Sequence, residues 1–425
     1  MLPAQAPLRA LRSRPCTCSL ARRAFSLSSR PQAPPYLYTA LPERALLSVQ
    51  GADAQKFLQG LISNDVRRLA QSGDEEDKQR VLYANILKAD GRYMHDVMLY
   101  PSLPSSPESA PTSPSYLLEH ASSFTPSLRT YFKRHILRSK VKLGRAAEAE
   151  KEVNAAWRNA AEESTPAEVE AAEQWLEEQG AGLDPRVLGM GYRWVAAKDG
   201  EKPPPELFKP VTPAHFQLHR LVHGIPEGPA DFPTLPLEAN IDFMNGVDYR
   251  KGCYVGQELT ARTHHKGVVR KRGVVFRLFR EGEDIPTEIL PSPSLIPYPS
   301  LFPLPPPGSS LTLIKSSSSR PRPSGKLGSA LSLVSPSGIL TLSLAYGSVR
   351  VEHLGEGTDE FDGVFVVKAP VEDGKVGGGT AGREAPEIGD GAGESSEEGG
   401  RWLAKAFMPD WLAWKLEEEA LSKGL

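Results

Sequence analysis

The chain has 425 residues, with 50 Lys and Arg against 52 Asp and Glu, and its formal charge of −2 excludes coating of nucleic acid by bulk charge. Its 37 Gly and 39 Pro exceed ordinary usage and fall in clusters, so part of the length is predicted to lie outside the fold. Three cysteines exclude a disulfide scaffold, and no apolar run nears the roughly 18 residues of a spanning helix, which excludes an integral helical membrane protein.

Residues 1–42 hold six Arg and no Asp, Glu or Lys. That is the composition of a mitochondrial presequence, an Arg-rich arm drawn inward by the membrane potential. It predicts import to the mitochondrial matrix, with residues 1–35 outside the mature fold. The string RRAFSLSS places the cut near Phe25, which removes Cys16 and Cys18 and leaves Cys253 as the mature thiol.

A short strand is predicted at 44–49 and ends at Gly51. Asp53 stands where negative charge favours a helix N-terminus. Phe57, Leu58, Leu61 and Ile62 then make one helical face, closed at Asn64-Asp65. Residues 80–100 read as a hairpin about Asp90-Gly91, a two-residue turn pair with the left-handed conformations that strand twist demands. The Pro/Ser run at 101–115 reads as an insertion. Residues 116–143 read as strand, short basic helix and strand. The Ala/Glu-rich stretch 145–179 reads as an inserted surface helix or two, broken at Pro166.

Beyond the segment 236–272, alternating apolar residues at 267–278 and 339–351 predict a small antiparallel barrel or sandwich. It is interrupted by a Pro/Ser-rich loop at 291–325. Residues 371–400 contain ten Gly and eight acids and are predicted to be a disordered linker. The final piece, 401–425, carries Trp402, Trp411 and Trp414 and is predicted to dock on the body. The fold class is therefore α+β: an α+β domain over 36–265, then a β domain over 266–370.

The string KGCYVGQE (Lys251, Gly252, Cys253, Tyr254, Val255, Gly256, Gln257, Glu258) carries the chemistry. Its two glycines let the backbone turn sharply and let another molecule approach. Residues 257–262 read as a helix start, with Glu258 and Arg262 in the favourable i, i+4 order. Cys253 thus lies near a helix N-terminus, with Arg250 and Lys251 close in sequence, and both features favour the thiolate. It is either a reactive or metal-binding group or a small residue in a tight turn. One thiolate cannot hold zinc or an iron–sulfur cluster alone. His264 and His265, read as strand neighbours, point to opposite faces, so further ligands would come from a partner.

Asp96, between Met94 and Met98 on the hairpin, is either hydrogen-bonded core polarity or a general base. The basic run Arg262, His264, His265, Lys266, Arg270, Lys271 and Arg272 is either a solvated strand or a docking surface for an anionic tail or acidic partner.

KGCYVGQE, with GADAQKFLQGLISNDV, GRYMHDVMLY, LRSKVKL, PLEANID, RTHHKGVVRKR and GKLGS in order, resembles the folate-binding YgfZ branch of the glycine-cleavage T-protein (aminomethyltransferase) superfamily, and within it the mitochondrial iron–sulfur cluster assembly factors. The resemblance implies a folate-binding-like domain followed by a C-terminal β-barrel. It implies a matrix factor that works with A-type iron–sulfur carrier proteins to mature [4Fe–4S] clients, such as aconitase-type and radical-SAM lipoate-forming enzymes. Cys253 would be the shared cluster ligand or redox-active thiol, and the cluster a transient one. The superfamily also implies the alternative of a tetrahydrofolate-dependent aminomethyl transferase, with Asp96 as the acid that assists transfer. The family's pterin-binding RLEAG string here reads Arg220-Leu221-Val222-His223-Gly224, with Val222 in place of the glutamate.

Overall fold

The computed structural model describes residues 33–69, 79–102, 113–144, 150–292, 295–298, 303–314, 322–338, 341–354, 363–370 and 400–423. Nearly all of the 1–35 presequence, most of 101–115, part of 291–325 and nearly all of 371–400 lie outside them.

The first sheet is antiparallel, in the order β3 (Leu82–Leu87), β4 (Tyr93–Pro101), β5 (Ser115–Ala121), β2 (Arg44–Gln50), β6 (Lys142–Gly144). Strand alternation sends Leu47, Val49, Leu99 and Leu118 to one face. There they pack on Leu58 of helix α1 (Ala54–Gln59) and on Leu128 and Phe132 of α2 (Thr125–Ile136). The opposite face carries Leu46, Tyr83, Met98 and Leu117 into a central cluster. All four residues of the predicted helical face, Phe57, Leu58, Leu61 and Ile62, are buried, although the helix itself stops at Gln59. The predicted hairpin forms with three residues between the paired Lys88 and Arg92, not two. Gly91 takes the left-handed position at φ 78°, the three-residue variant in which glycine follows a turn.

The second sheet runs β10 (Phe208–Pro210), β1 (Tyr36–Ala40), β7 (Lys151–Arg158), β9 (Tyr192–Ala197), β8 (Gly182–Leu183), with only β1 and β10 parallel. Its middle strand corrects the sequence reading of 145–179. Lys151–Arg158, expected in an inserted helix, is the core strand. Val153, Ala155 and Trp157 enter the central cluster, while Ala156 packs outward beneath helix α3 (Pro166–Glu178). Burial on both faces erases the period-2 signal, and pairing with β1 and β9 overrides the Ala/Glu propensity. Pro166 does not break a helix but starts one, behind a Thr165/Glu168 capping box.

Behind these sheets, six strands close a barrel in the order β14 (Gly325–Val334), β13 (Ser310–Leu313), β16 (Val364–Lys368), β17 (Trp402–Phe407), β11 (Lys271–Arg280), β15 (Thr341–Arg350), with β15 returning to β14. A short β12 (Ile296–Pro297) lies on β14. Phe276, Leu311, Leu327, Ala345 and Phe365 fill the interior. The C-terminal piece does more than dock. Its residues Trp402–Phe407 are a barrel strand, and α6 (Asp410–Lys423) then buries Leu412 and bonds Trp411 Nε1 to the His223 carbonyl at 2.8 Å. Glycine is required between neighbouring barrel strands and where the barrel meets the body. A Cβ on Gly273 would lie 1.6 Å from the Tyr346 hydroxyl, and one on Gly328 would lie 2.6 Å from an Asp231 carboxylate oxygen.

Candidate functional site

The segment 246–256 is tied at Gly246, Asp248, Lys251 and Val255 to the turn that follows α1. The Asp248 N–H donates to the Ser63 carbonyl at 3.0 Å, and the Val255 N–H to the Gly60 carbonyl at 3.0 Å. Asp248 accepts from the N–H groups of Arg250 and Lys251 and pairs with Arg68 at 3.1 Å. Lys251 turns inward, donating from Nζ to the carbonyls of Gln59, Ile62 and Asn64 at 2.8, 2.6 and 3.0 Å. Those acceptors lie at and just beyond the C-terminal end of α1, where carbonyls lack helical partners. Burial pushes this ammonium down to about 8, against the pull of Asp65 and Asp248. Lys251 therefore anchors the loop. Its three donors are spent on the backbone, whereas the sequence had placed it beside the thiol as an activating charge.

Tyr254 is buried, with its ring 4.8 Å from Lys251 Nζ and its hydroxyl 3.0 Å from Thr260 Oγ1. Gln257 Oε1 accepts from the Tyr254 N–H at 3.2 Å. Gly256 stands at φ 83° immediately before helix α5 (Gln257–Lys266), and a Cβ there would meet the Lys88 carbonyl oxygen at 2.4 Å. This glycine is needed for a left-handed residue and a close approach to the hairpin turn. Gly252 differs, since a Cβ there would meet nothing within 4 Å. Between Gly252 and buried Tyr254, Cys253 is left exposed, and it is the one free cysteine among the described residues.

Helix α5 forms as the string predicts, but exposed Glu258 and Arg262 make no ion pair with each other, as befits a pair worth little in water. His264 and His265 correct the sequence reading: they close this helix and do not lie on a strand. His264 stacks on Tyr249 at 3.7 Å, and the two histidine rings meet edge to face at 5.0 Å. No group of three His, Cys, Asp or Glu side chains able to hold a metal occurs among the described residues. Of the basic run, Arg262, Lys266 and Arg270 are exposed, but Arg272 is not. Its guanidinium is buried against Phe243, pairs with Asp242 at 2.7 Å and reaches Glu419 of α6 at 3.4 Å.

Asp96 lies elsewhere, on the central face of the first sheet. One carboxylate oxygen accepts from the Tyr93 hydroxyl at 2.9 Å, the other from Arg44 at 2.8 Å and the Gly228 N–H at 3.3 Å. Arg44 also bonds Glu119 at 2.6 Å, and Glu119 bonds Arg193 of β9 at 2.6 Å, so the network bridges both sheets. Arg193 and Arg186 share Asp184 and Glu227. Burial raises the Asp96 carboxyl, but the Arg44 charge together with the hydrogen bonds from Tyr93 and Gly228 outweighs it and holds the group below its usual range. Such a carboxylate is a poor base. Sequence reasoning missed Arg44, Glu119, Asp184, Arg186, Arg193 and Glu227. The available signal was a lone charge inside an apolar strand, Glu119 in YLLEH and Arg193 in YRWVAA. Neighbouring His95 faces the other way, 5.3 Å from the Phe124 ring.

The residues present do not fit a pterin held by free carboxylates. Both Asp96 oxygens are engaged, and Val222, at the end of helix α4 (Pro213–Val222), packs among leucines such as Leu221 and Leu333 at the barrel contact. Arg220, from the same string, pairs with Asp231 at 2.5 Å and bonds Ser329 at 3.0 Å.

The chain is similar to curated proteins described as mitochondrial iron–sulfur cluster assembly factor IBA57 homologs. It is 36% identical to the one from Mycosarcoma maydis over 275 residues, 64% of this chain and 64% of that protein. It is 35% identical to the Coccidioides immitis protein over 330 residues, 73% and 74% of the two chains. The similarity to the Aspergillus oryzae protein is 32% over a 431-residue alignment, 95% and 90% of the two. Among solved structures, the glycine cleavage system aminomethyltransferase T from Bartonella henselae shares the fold, with a TM-score of 0.50 at 13% identity, over 89% of this chain and 87% of that one. No family model matches the chain.

Proposed function

We propose that this chain, which belongs to the IBA57 family of mitochondrial iron–sulfur cluster assembly factors, matures [4Fe–4S] proteins in the matrix by presenting Cys253 to a cluster carried by an A-type carrier protein. The observation that supports this is the contrast between Cys253 and its neighbours. Lys251 and Val255 are bonded to the turn after α1, Tyr254 is buried, Gly256 abuts the hairpin turn and Gln257 holds the Tyr254 N–H, while the thiol among them is exposed. A thiolate is the group that binds iron, and a single one needs its co-ligands from another molecule. The rigid loop holds the sulfur without the entropy of ordering it on encounter. The clients in this reading are aconitase-type and lipoate-forming radical-SAM enzymes. Cys253→Ser is nearly isosteric in an exposed loop, so in cells lacking the wild-type protein it should accumulate normally yet leave aconitase inactive. Cys253→Ala should do the same. Normal aconitase activity with either variant would make KGCYVGQE a structural turn and overturn the reading.

The alternative, aminomethyl transfer from tetrahydrofolate, has the fold in its favour. It is opposed by the engaged Asp96 carboxylate and by Val222. Titration with tetrahydrofolate, followed by tryptophan fluorescence, separates the two: saturable binding that Asp96→Asn abolishes would favour the transferase.

A further inference from the structure

Helix α2, the turn behind it and the start of β6 carry Arg129, Lys133, Arg134, Arg138, Lys140 and Lys142, with no Asp or Glu from 125 to 144. Lys133, Arg134, Arg138, Lys140 and Lys142 are exposed and make no ion pair among the described residues. This acid-free stretch borders a cleft of about 880 Å³ between the C-terminal ends of α1 and α2. Asp53, Lys56, His135, Leu137, Arg138 and Val255 are among its walls, with the Asp53 carboxylate engaged by the Lys140 N–H. Val255 lies two residues from Cys253 and is bonded to Gly60, so the cleft adjoins the thiol loop.

Leu137 stands at the rim with φ 44° and ψ −107°, a conformation natural to glycine, and the residue is 87% exposed. The turn is pinned on both sides. Ser139 N–H bonds the Ile136 carbonyl at 2.7 Å, and Lys140 N–H bonds an Asp53 carboxylate oxygen at 2.7 Å. The Lys140 carbonyl oxygen occupies the space of a Cβ on Gly51, 2.0 Å away. The surrounding structure thus holds a bulky apolar residue, strained and facing water, beside unpaired positive charge. Strain of this kind persists where it serves a contact.

We propose that this cleft docks a carboxylate-rich segment of the protein that brings the cluster to Cys253, with Leu137 inserting into an apolar hollow on that partner. The inference rests on the reading of Cys253 as the point of cluster transfer. Charge complementarity favours an acidic partner, and the concave wall favours a protein over a flat anionic membrane.

The test uses the full chain and a cluster-loaded A-type carrier, with affinity measured at low and high salt. The Lys56→Glu, Arg138→Glu double variant should bind about tenfold or more weakly and lose the salt dependence of the wild type. Leu137→Gly should melt at a higher temperature, because glycine relieves the strain, yet bind more weakly, a combination no purely structural role produces. Cys253→Ser should keep the salt-dependent encounter. Wild-type affinity in the cleft variants, with Cys253→Ser still defective in cluster transfer, would overturn this inference and leave the role of Cys253 intact. Binding to cardiolipin-containing vesicles that the double variant loses, with carrier affinity unchanged, would assign the cleft to membranes instead. A wild-type chain that does not bind the carrier at all would overturn both.

Discussion

Lys251 and Cys253 stand two residues apart and do opposite things. The ammonium is turned inward to three carbonyls, and the thiol is left in solvent. Lys251→Met keeps the apolar stem and removes every donor, so the carbonyls of Gln59, Ile62 and Asn64 lose their partner. A loss of about 3 kcal/mol in unfolding free energy is expected from urea titration. Less than about 1 kcal/mol would show that water replaces the ammonium at no cost. The two glycines divide in the same way. Gly256→Ala meets the Lys88 carbonyl and a left-handed backbone, and should lower the melting temperature by several degrees. Gly252→Ala meets no atom of this chain and should melt like the wild type. Sequence alone marked both glycines as equivalent, because spacing does not reveal which one carries the positive φ.

At the scale of elements, pairing explains what the local sequence hid. The hairpin was legible from the local turn chemistry of Asp90-Gly91, and the barrel from alternating apolar residues. Lys151–Arg158 was not, because a strand covered on both sides has no alternation to read. Arg272 read as surface charge because its partners, Asp242 and Glu419, are 30 and 147 residues away in sequence. The long connection between β16 and β17 gives a test. The two strands are antiparallel neighbours, pairing Val364 with Lys405 and Val366 with Leu403. Extending that register sets Ala369 opposite Gly400 at the end of the strand pair. Deleting 371–399 should leave melting unchanged or slightly raised, because loop-closure entropy grows only slowly with length. A fall of more than about 5 °C would show that the segment packs on the body. Removing 400–425 instead takes a strand out of the closed barrel and should abolish cooperative unfolding.

Across the whole molecule, the buried ions tie the two sheets to each other. Asp96, Asp184 and Glu227 are each pulled by burial toward the neutral acid and held below the ordinary carboxylate range by Arg44, Arg186 and Arg193. Their folded values lie below the unfolded ones, so the unfolded chain binds more protons on acidification. The stabilisation is complete above about pH 5 and is lost as pH falls through the carboxylate range. Unfolding free energy should drop between about pH 5 and pH 3. Asp184→Asn leaves Arg186 with less compensation, and should cost about 3–5 kcal/mol at pH 7 and show a shallower acid slope. An acid profile identical to wild type would separate the network from stability. This network was beyond sequence reading, since it joins charges from β2, β4, β5, β9 and two loops that only the folded sheets bring together.

The central claim is that the sulfur of Cys253 takes part in holding a cluster between two proteins. The most direct measurement is anaerobic mixing of this chain with a cluster-loaded A-type carrier, following visible absorption through size exclusion. The wild type should elute as a coloured complex with an altered charge-transfer spectrum, and Cys253→Ser should leave the spectrum that of the carrier alone. A coloured complex with the same spectrum and stability from both proteins would contradict the account.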